Sequence, residues 1–207
     1  MSTTFQVYPQ TSYIPSFKEV VAVSQQKLNG FLDDYNIKAH PPITVQLRTM
    51  EPDTILSLPW EQPAIWSQDC YAWFIVSPVN GGTDAYFCDL DSEDREDWNE
   101  WCQEDEQIAK RQGLVRACLT QGYYWSFRRS MGQSGLINLT YGLIAASFAE
   151  LTDGFIYSLD GAWDYKRFPA TAQELYSWYF RPEQAVDIDR KNWTERCLAA
   201  IAKELKA

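Results

Sequence analysis

The stretch Ser134-Gly-Leu-Ile-Asn-Leu-Thr-Tyr-Gly-Leu-Ile-Ala-Ala-Ser-Phe-Ala-Glu-Leu151 decides how this chain folds. From Leu136 to Leu151 it is apolar nearly all round, the pattern of a helix covered on several sides. Gly142, Ala145 and Ala146 are small enough to let neighbouring segments come close. No residue from Ser130 to Ala149 is charged, which invites a membrane reading. Gln133, Asn138, Thr140 and the interspersed Ser and Gly make the run too polar for a stable span. A buried central helix is therefore expected, with the other elements arranged around it.

Working outward, Ser16 followed by Glu19 is a capping-box signature, and apolar residues recur at helical spacing from Phe17 to Tyr35. Ile43, Val45 and Leu47 alternate with polar residues, as in a half-buried strand. Tyr71–Ser77 and Ala85–Leu90 read as strands joined across Asn80-Gly81-Gly82, and Tyr123–Phe127 as another. One helix is expected over about Ser92–Gln112, with Trp98, Trp101, Cys102 and Ile108 on its inner face and Gly113 as its stop. A short strand at Phe155–Ser158, a helix capped by Thr171 and Glu174, and a last helix over Asp189–Leu205 complete the series. Strands and helices mix without regular βαβα alternation, and no linker or repeat interrupts them. The expectation is one α+β domain over residues 1–207, its antiparallel or mixed sheet packed on the central helix, with further helices at both ends.

The chain has 207 residues, 31 of them aromatic (9 Trp, 12 Tyr, 10 Phe), enough to bury a full core. Its formal net charge is −10, from 28 acidic and 18 basic side chains. Nine of those ten charges lie between Asp89 and Glu106, where ten acids face the single base Arg95. An acidic balance argues against nucleic acid and anionic membranes as partners, because both require a cationic surface. Five scattered cysteines without C-x-x-C spacing read as reduced thiols, and the N-terminal residues lack the basic and apolar regions of a secretory signal. A cytoplasmic protein is expected.

Several motifs invite chemistry. Asp89-x-Asp91-x-Glu93 with Glu100 outlines a calcium loop, but Asp94 stands where the turn needs glycine. His40 is the sole histidine, which rules out zinc sites built on two or three imidazoles. Ser24-x-x-Lys27 falls mid-helix without companion motifs and is discarded. Gly132-Gln-Ser134-Gly135, after Arg128 and Arg129, is a helix start that could hold a phosphate or carboxylate, although Ser134 as a plain N-cap explains it too. The densest stretch, Thr152 to Ala170, sets Asp153, Asp160 and Asp164 among Tyr157, Trp163 and Tyr165. Carboxylates beside aromatic platforms suit a glycosidase, whereas turns at Asp153-Gly154 and Asp160-Gly161 account for the same residues structurally.

The segment Asp153-Gly-x-x-Tyr-Ser-x-Asp-Gly-Ala-Trp-Asp164, with the helix before it and Glu174-Leu-Tyr-Ser-Trp-Tyr-Phe180 after it, resembles a signature of small bacterial proteins of a cyanobacterial type. The helix running into Thr-Asp-Gly-Phe-Ile-Tyr-Ser158 also resembles a packing element of several α+β families, some immunity proteins of toxin systems among them. The resemblance spans roughly residues 134–181, implies a bacterial cytosolic domain, and carries no catalytic residues across.

Two functions follow as expectations. The first is a non-enzymatic binding protein whose acidic helix, through Glu93, Glu96, Asp97 and Glu100, meets a basic protein partner, toxin neutralisation being one form. The second is a small-molecule pocket or hydrolase using Tyr157, Asp160, Trp163 and Asp164 with Arg128 and Arg129. Neither reading calls for a metal or cofactor.

Overall fold

The computed structural model describes residues 2–206, and the backbone but not the side chain of Tyr165. Its strands form one eight-stranded sheet: β1 (Thr3–Tyr8), β2 (Ile43–Thr49), β3 (Ile55–Leu56), β4 (Cys70–Val76), β5 (Thr83–Asp89), β6 (Tyr123–Arg129), β7 (Phe155–Tyr157) and β8 (Ala170–Thr171). The spatial order is β3-β2-β4-β5-β6-β1-β7-β8, and every neighbouring pair is antiparallel. The fold is α+β, with the antiparallel form of sheet.

The N-terminal strand β1 sits between β6 and β7, a central place that the sequence pattern does not announce. Because both neighbours run antiparallel to it, β6 and β7 point the same way. The chain between them must cross a face of the sheet, and α5 (Gly135–Leu151) makes that crossing. Residues 135–149 are all buried, as an element covered on several sides requires. Ser134 Oγ accepts the Ile137 N–H at 3.3 Å and starts the helix. Among the described residues no helix is long and apolar enough to cross a membrane.

On the same sheet face lie α1 (Phe17–Asp34), with its Ser16–Glu19 capping box, α6 (Ala172–Trp178), capped by Thr171 and Glu174, and α7 (Ile188–Glu204). Phe5, Val7, Trp125, Phe127 and Ile156 point into this core. Strand alternation sends Tyr8, Tyr124 and Phe155 to the other face, where a smaller core forms around Trp98.

That second core corrects one expectation. The segment after Ser92 is not one helix but three: α2 (Ser92–Glu104), α3 (Glu106–Ala109) and α4 (Gln112–Leu119). Asp105 adopts an extended backbone, and its Oδ1 accepts the N–H groups of Gln107 (2.7 Å) and Ile108 (3.2 Å). An aspartate that caps a new helix competes with continuing the old one. Gly113, expected as a stop, lies inside α4.

Candidate functional site

The acidic face begins at a cap. Asp91 Oδ1 accepts the Asp94 N–H at 2.9 Å, and Asp94 Oδ2 accepts the Asp91 N–H at 3.2 Å. Acids in this first turn also suit the positive end of the helix dipole. Trp98 and Cys102 are buried against Tyr8 and Phe155, and Trp101 stacks half-buried on Tyr157. Glu93, Glu96, Asp97 and Glu100 then recur every three or four residues on the opposite side, all exposed.

None of these four lies within ion-pairing distance of a base among the described residues. The segment's own base is withdrawn from the face. Arg95 Nη1 donates to Leu119 O at 2.6 Å, at the carbonyl end of α4. The acids that outline a calcium loop lie along a strand end, a cap and a helix instead of around a hollow. Among the described residues, no group of three or more His, Cys, Asp or Glu side chains is placed to hold a metal ion.

The aromatic segment is arranged differently. Asp160 Oδ1 accepts the Thr4 N–H at 3.0 Å and the Ser158 hydroxyl at 3.2 Å, while Ser158 Oγ takes the Ala162 N–H at 3.0 Å. Asp164 receives the Lys166 N–H at 3.2 Å and Arg167 Nε at 3.3 Å. Both carboxylates hold the loop together, and Asp160 also ties it to β1. Asp153 ends α5 in the left-handed region (φ 51°), and a Cβ on the following Gly154 would meet Tyr8 O at 2.2 Å.

Of the six residues in the pocket expectation, the fold brings two to one cleft. Tyr157 faces the second core, its ring centroid 4.8 Å from that of Trp98. Arg128 lies on the uncovered part of that face, where its Nε donates to the buried Asp84 at 2.7 Å and Tyr86 donates to the same carboxylate at 3.0 Å. Arg129, one residue on, points the other way. It shares a hollow of about 390 Å³ with Trp163, Asp187, Asp189, Arg190 and Trp193. The loop supplies Trp163 by burying it against Tyr179, Phe180 and Trp193. Tyr165, also in that segment, has its side chain outside the described set.

Sequence reasoning missed Arg190 and Arg196, and placed Trp193 only as a packing residue. Nothing adjacent in the chain marks them; they meet Arg129 only because α7 packs beside the start of α5. The electrostatics agree with that placement. Burial pushes the Cys197 thiol up, against the opposing pull of Arg196 and Arg129. Burial likewise lifts Tyr141 well above the usual phenol range, and Tyr179 and Asp160 reinforce the shift while Arg129 opposes it.

No family model matches the chain, and no curated protein or solved structure does. Function has to rest on the chemistry of these two places.

Proposed function

We propose that this is a non-enzymatic binding protein of the bacterial cytoplasm whose α2 face receives a basic protein partner, as in toxin neutralisation. The observation that carries it is the uncompensated row Glu93, Glu96, Asp97 and Glu100, exposed and unpaired while Arg95 is turned inward. With Glu104 the row spans about 16 Å, at ~1.5 Å per residue. That exceeds the screening length of about 8 Å at physiological salt, so no single counter-ion neutralises it. A lysine- or arginine-rich segment would, and the field would speed its approach. Trp98 and Cys102 anchor the helix, so the face is ordered before the partner arrives. A hydrolase at Asp160 and Asp164 has less support, because both carboxylates are engaged in the loop.

The test is capture from a bacterial lysate at low salt, identification of the retained protein, and association kinetics with it in purified form. Glu93→Gln, Glu96→Gln, Asp97→Asn and Glu100→Gln together should slow association by about ten-fold or more. The same loss of charge spread over Glu51→Gln, Asp69→Asn, Glu183→Gln and Glu195→Gln should matter far less. Equal effects of the two sets, or binding that ignores salt, would sink the proposal.

A further inference from the structure

In a chain with ten net negative charges, arginines that lack a carboxylate partner call for an account. Arg48, Arg111, Arg128, Arg167 and Arg181 each pair with an acid. Among the described residues five do not: Arg95, which donates to Leu119 O, Arg116, and the three that line one two-lobed cleft, Arg129, Arg190 and Arg196. The first lobe is the hollow bounded by Trp163 and Asp189; the second, of about 430 Å³, runs from the start of α5 to Arg196 on α7. Arg129 and Trp193 belong to both lobes.

Two of the guanidinium groups are held by rings. Arg129 lies 5.7 Å from the centroid of Tyr141, and Arg190 lies 5.3 Å from that of Trp163. Stacking fixes the plane of a guanidinium and leaves its N–H edge to form bonds elsewhere. The second lobe adds the first turn of α5, where Gly132, Gln133 and Gly135 line the wall and a helix dipole favours negative charge. Asn138 lines that lobe too. It is 7% exposed, and its Oδ1 has no hydrogen-bond partner. A buried acceptor left unmet is costly, and the O–H of a singly protonated phosphate in this lobe would satisfy it.

The first lobe differs in character. Trp193 is half-buried and offers ring surface, and Asp189 is an exposed carboxylate that can accept hydrogen bonds from hydroxyls. Asp187 beside it is occupied, its Oδ1 accepting the Arg190 N–H at 2.7 Å. Aromatic surface next to a carboxylate suits a hydroxylated ring, while the arginine lobe suits a phosphate. We infer that this cleft binds a phosphorylated sugar, with the phosphate between Arg129 and Arg196 at the start of α5 and the sugar ring against Trp193 towards Asp189. The site is separate from the acidic helix and independent of the partner proposed there.

Calorimetric titration of the full chain with inorganic phosphate, glucose, glucose 6-phosphate and ribose 5-phosphate tests this. At least one sugar phosphate should bind about ten-fold or more tightly than inorganic phosphate, and glucose should bind least. Arg196→Gln should weaken phosphate and sugar phosphate alike by roughly ten-fold. Asp189→Asn should erode only the advantage of the sugar phosphate. Both substituted residues are exposed, so the fold should persist, which melting curves check. Asp69→Asn, an exposed residue outside the cleft, should change nothing. The inference is overturned if neither sugar phosphate binds up to about 10 mM, if phosphate alone binds as tightly, or if Arg196→Gln leaves the affinities unchanged.

Discussion

The ring of Tyr179 fills the space that Gly142 leaves open on α5: a Cβ built on Gly142 would lie 2.3 Å from Tyr179 Cε1. From that seat the Tyr179 hydroxyl donates to the backbone oxygen of Asn138 at 2.5 Å. Its ring meets Trp163 at 4.8 Å between centroids, so the glycine indirectly sets the wall of the arginine cleft.

Gly142→Ala should therefore destabilise the fold by about 1–3 kcal/mol, the usual cost of forcing volume into a packed core. Tyr179→Phe should cost about 1 kcal/mol, because it removes a hydrogen bond and keeps the ring. Denaturant unfolding measures both. A stabilised Gly142→Ala variant would mean that Tyr179 is not seated there.

Trp98 and Trp101 share a helix but not a role. Trp98 is 1% exposed and touches Tyr8, Phe155 and Tyr157, whereas Trp101 is only half-buried. Trp98→Ala should cost about 3–5 kcal/mol and Trp101→Ala distinctly less. Glu96→Gln and Glu100→Gln should stay within about 0.5 kcal/mol. Equal losses for the two tryptophans, read from urea midpoints, would contradict this packing.

Glu174 joins α6 to α3–α4 through its bidentate pair with Arg111 and closes the Thr171 capping box. Burial alone would raise its pKa, but the bonds from Arg111 and Thr171 outweigh it and hold the carboxyl below the usual range. A depressed pKa in the folded state gives stability that is present above the unfolded value and lost as pH falls through the folded one. Glu174→Gln should thus cost about 1 kcal/mol at pH 7 and progressively less below about pH 4. A penalty that stays constant down to about pH 3 would refute the linkage.

All five cysteines are free. Burial pushes the Cys118 thiol up to about 12 and the Cys88 thiol up to about 11, so neither is a thiolate near neutrality. In the native protein at about pH 8, both should resist a disulfide reagent. Five thiols should titrate after unfolding without reductant; three or fewer would mean that the chain forms disulfides.

Local chemistry was legible wherever one residue type meets one local need. The boxes at Ser16–Glu19 and Thr171–Glu174, the alternation of Ile43, Val45 and Leu47, and the all-round apolarity of α5 each specify an element without reference to distant partners. The acidic row was legible for the same reason, since helical spacing alone separates Glu93, Glu96, Asp97 and Glu100 from Trp98. Asp105 misled because a capping aspartate and a solvent-facing helical one look alike until the N–H groups of Gln107 and Ile108 are seen turning to it.

Sequence by itself determined the helices α1, α5, α6 and α7, five of the eight strands, the class of fold and the place of the charge, because these depend on neighbours a few residues apart; it did not show β1, β3 or β8. Only tertiary structure decided that β1 lies between β6 and β7, that Arg128 and Arg129 face opposite sides of the sheet, and that Asp160 and Asp164 hold a loop. It alone brought Arg129, Arg190 and Arg196 together, from a strand and a helix about sixty residues apart in the chain. Strand pairing and helix docking bring together residues that have no local relation. The pattern around each arginine therefore could not announce the cleft they share.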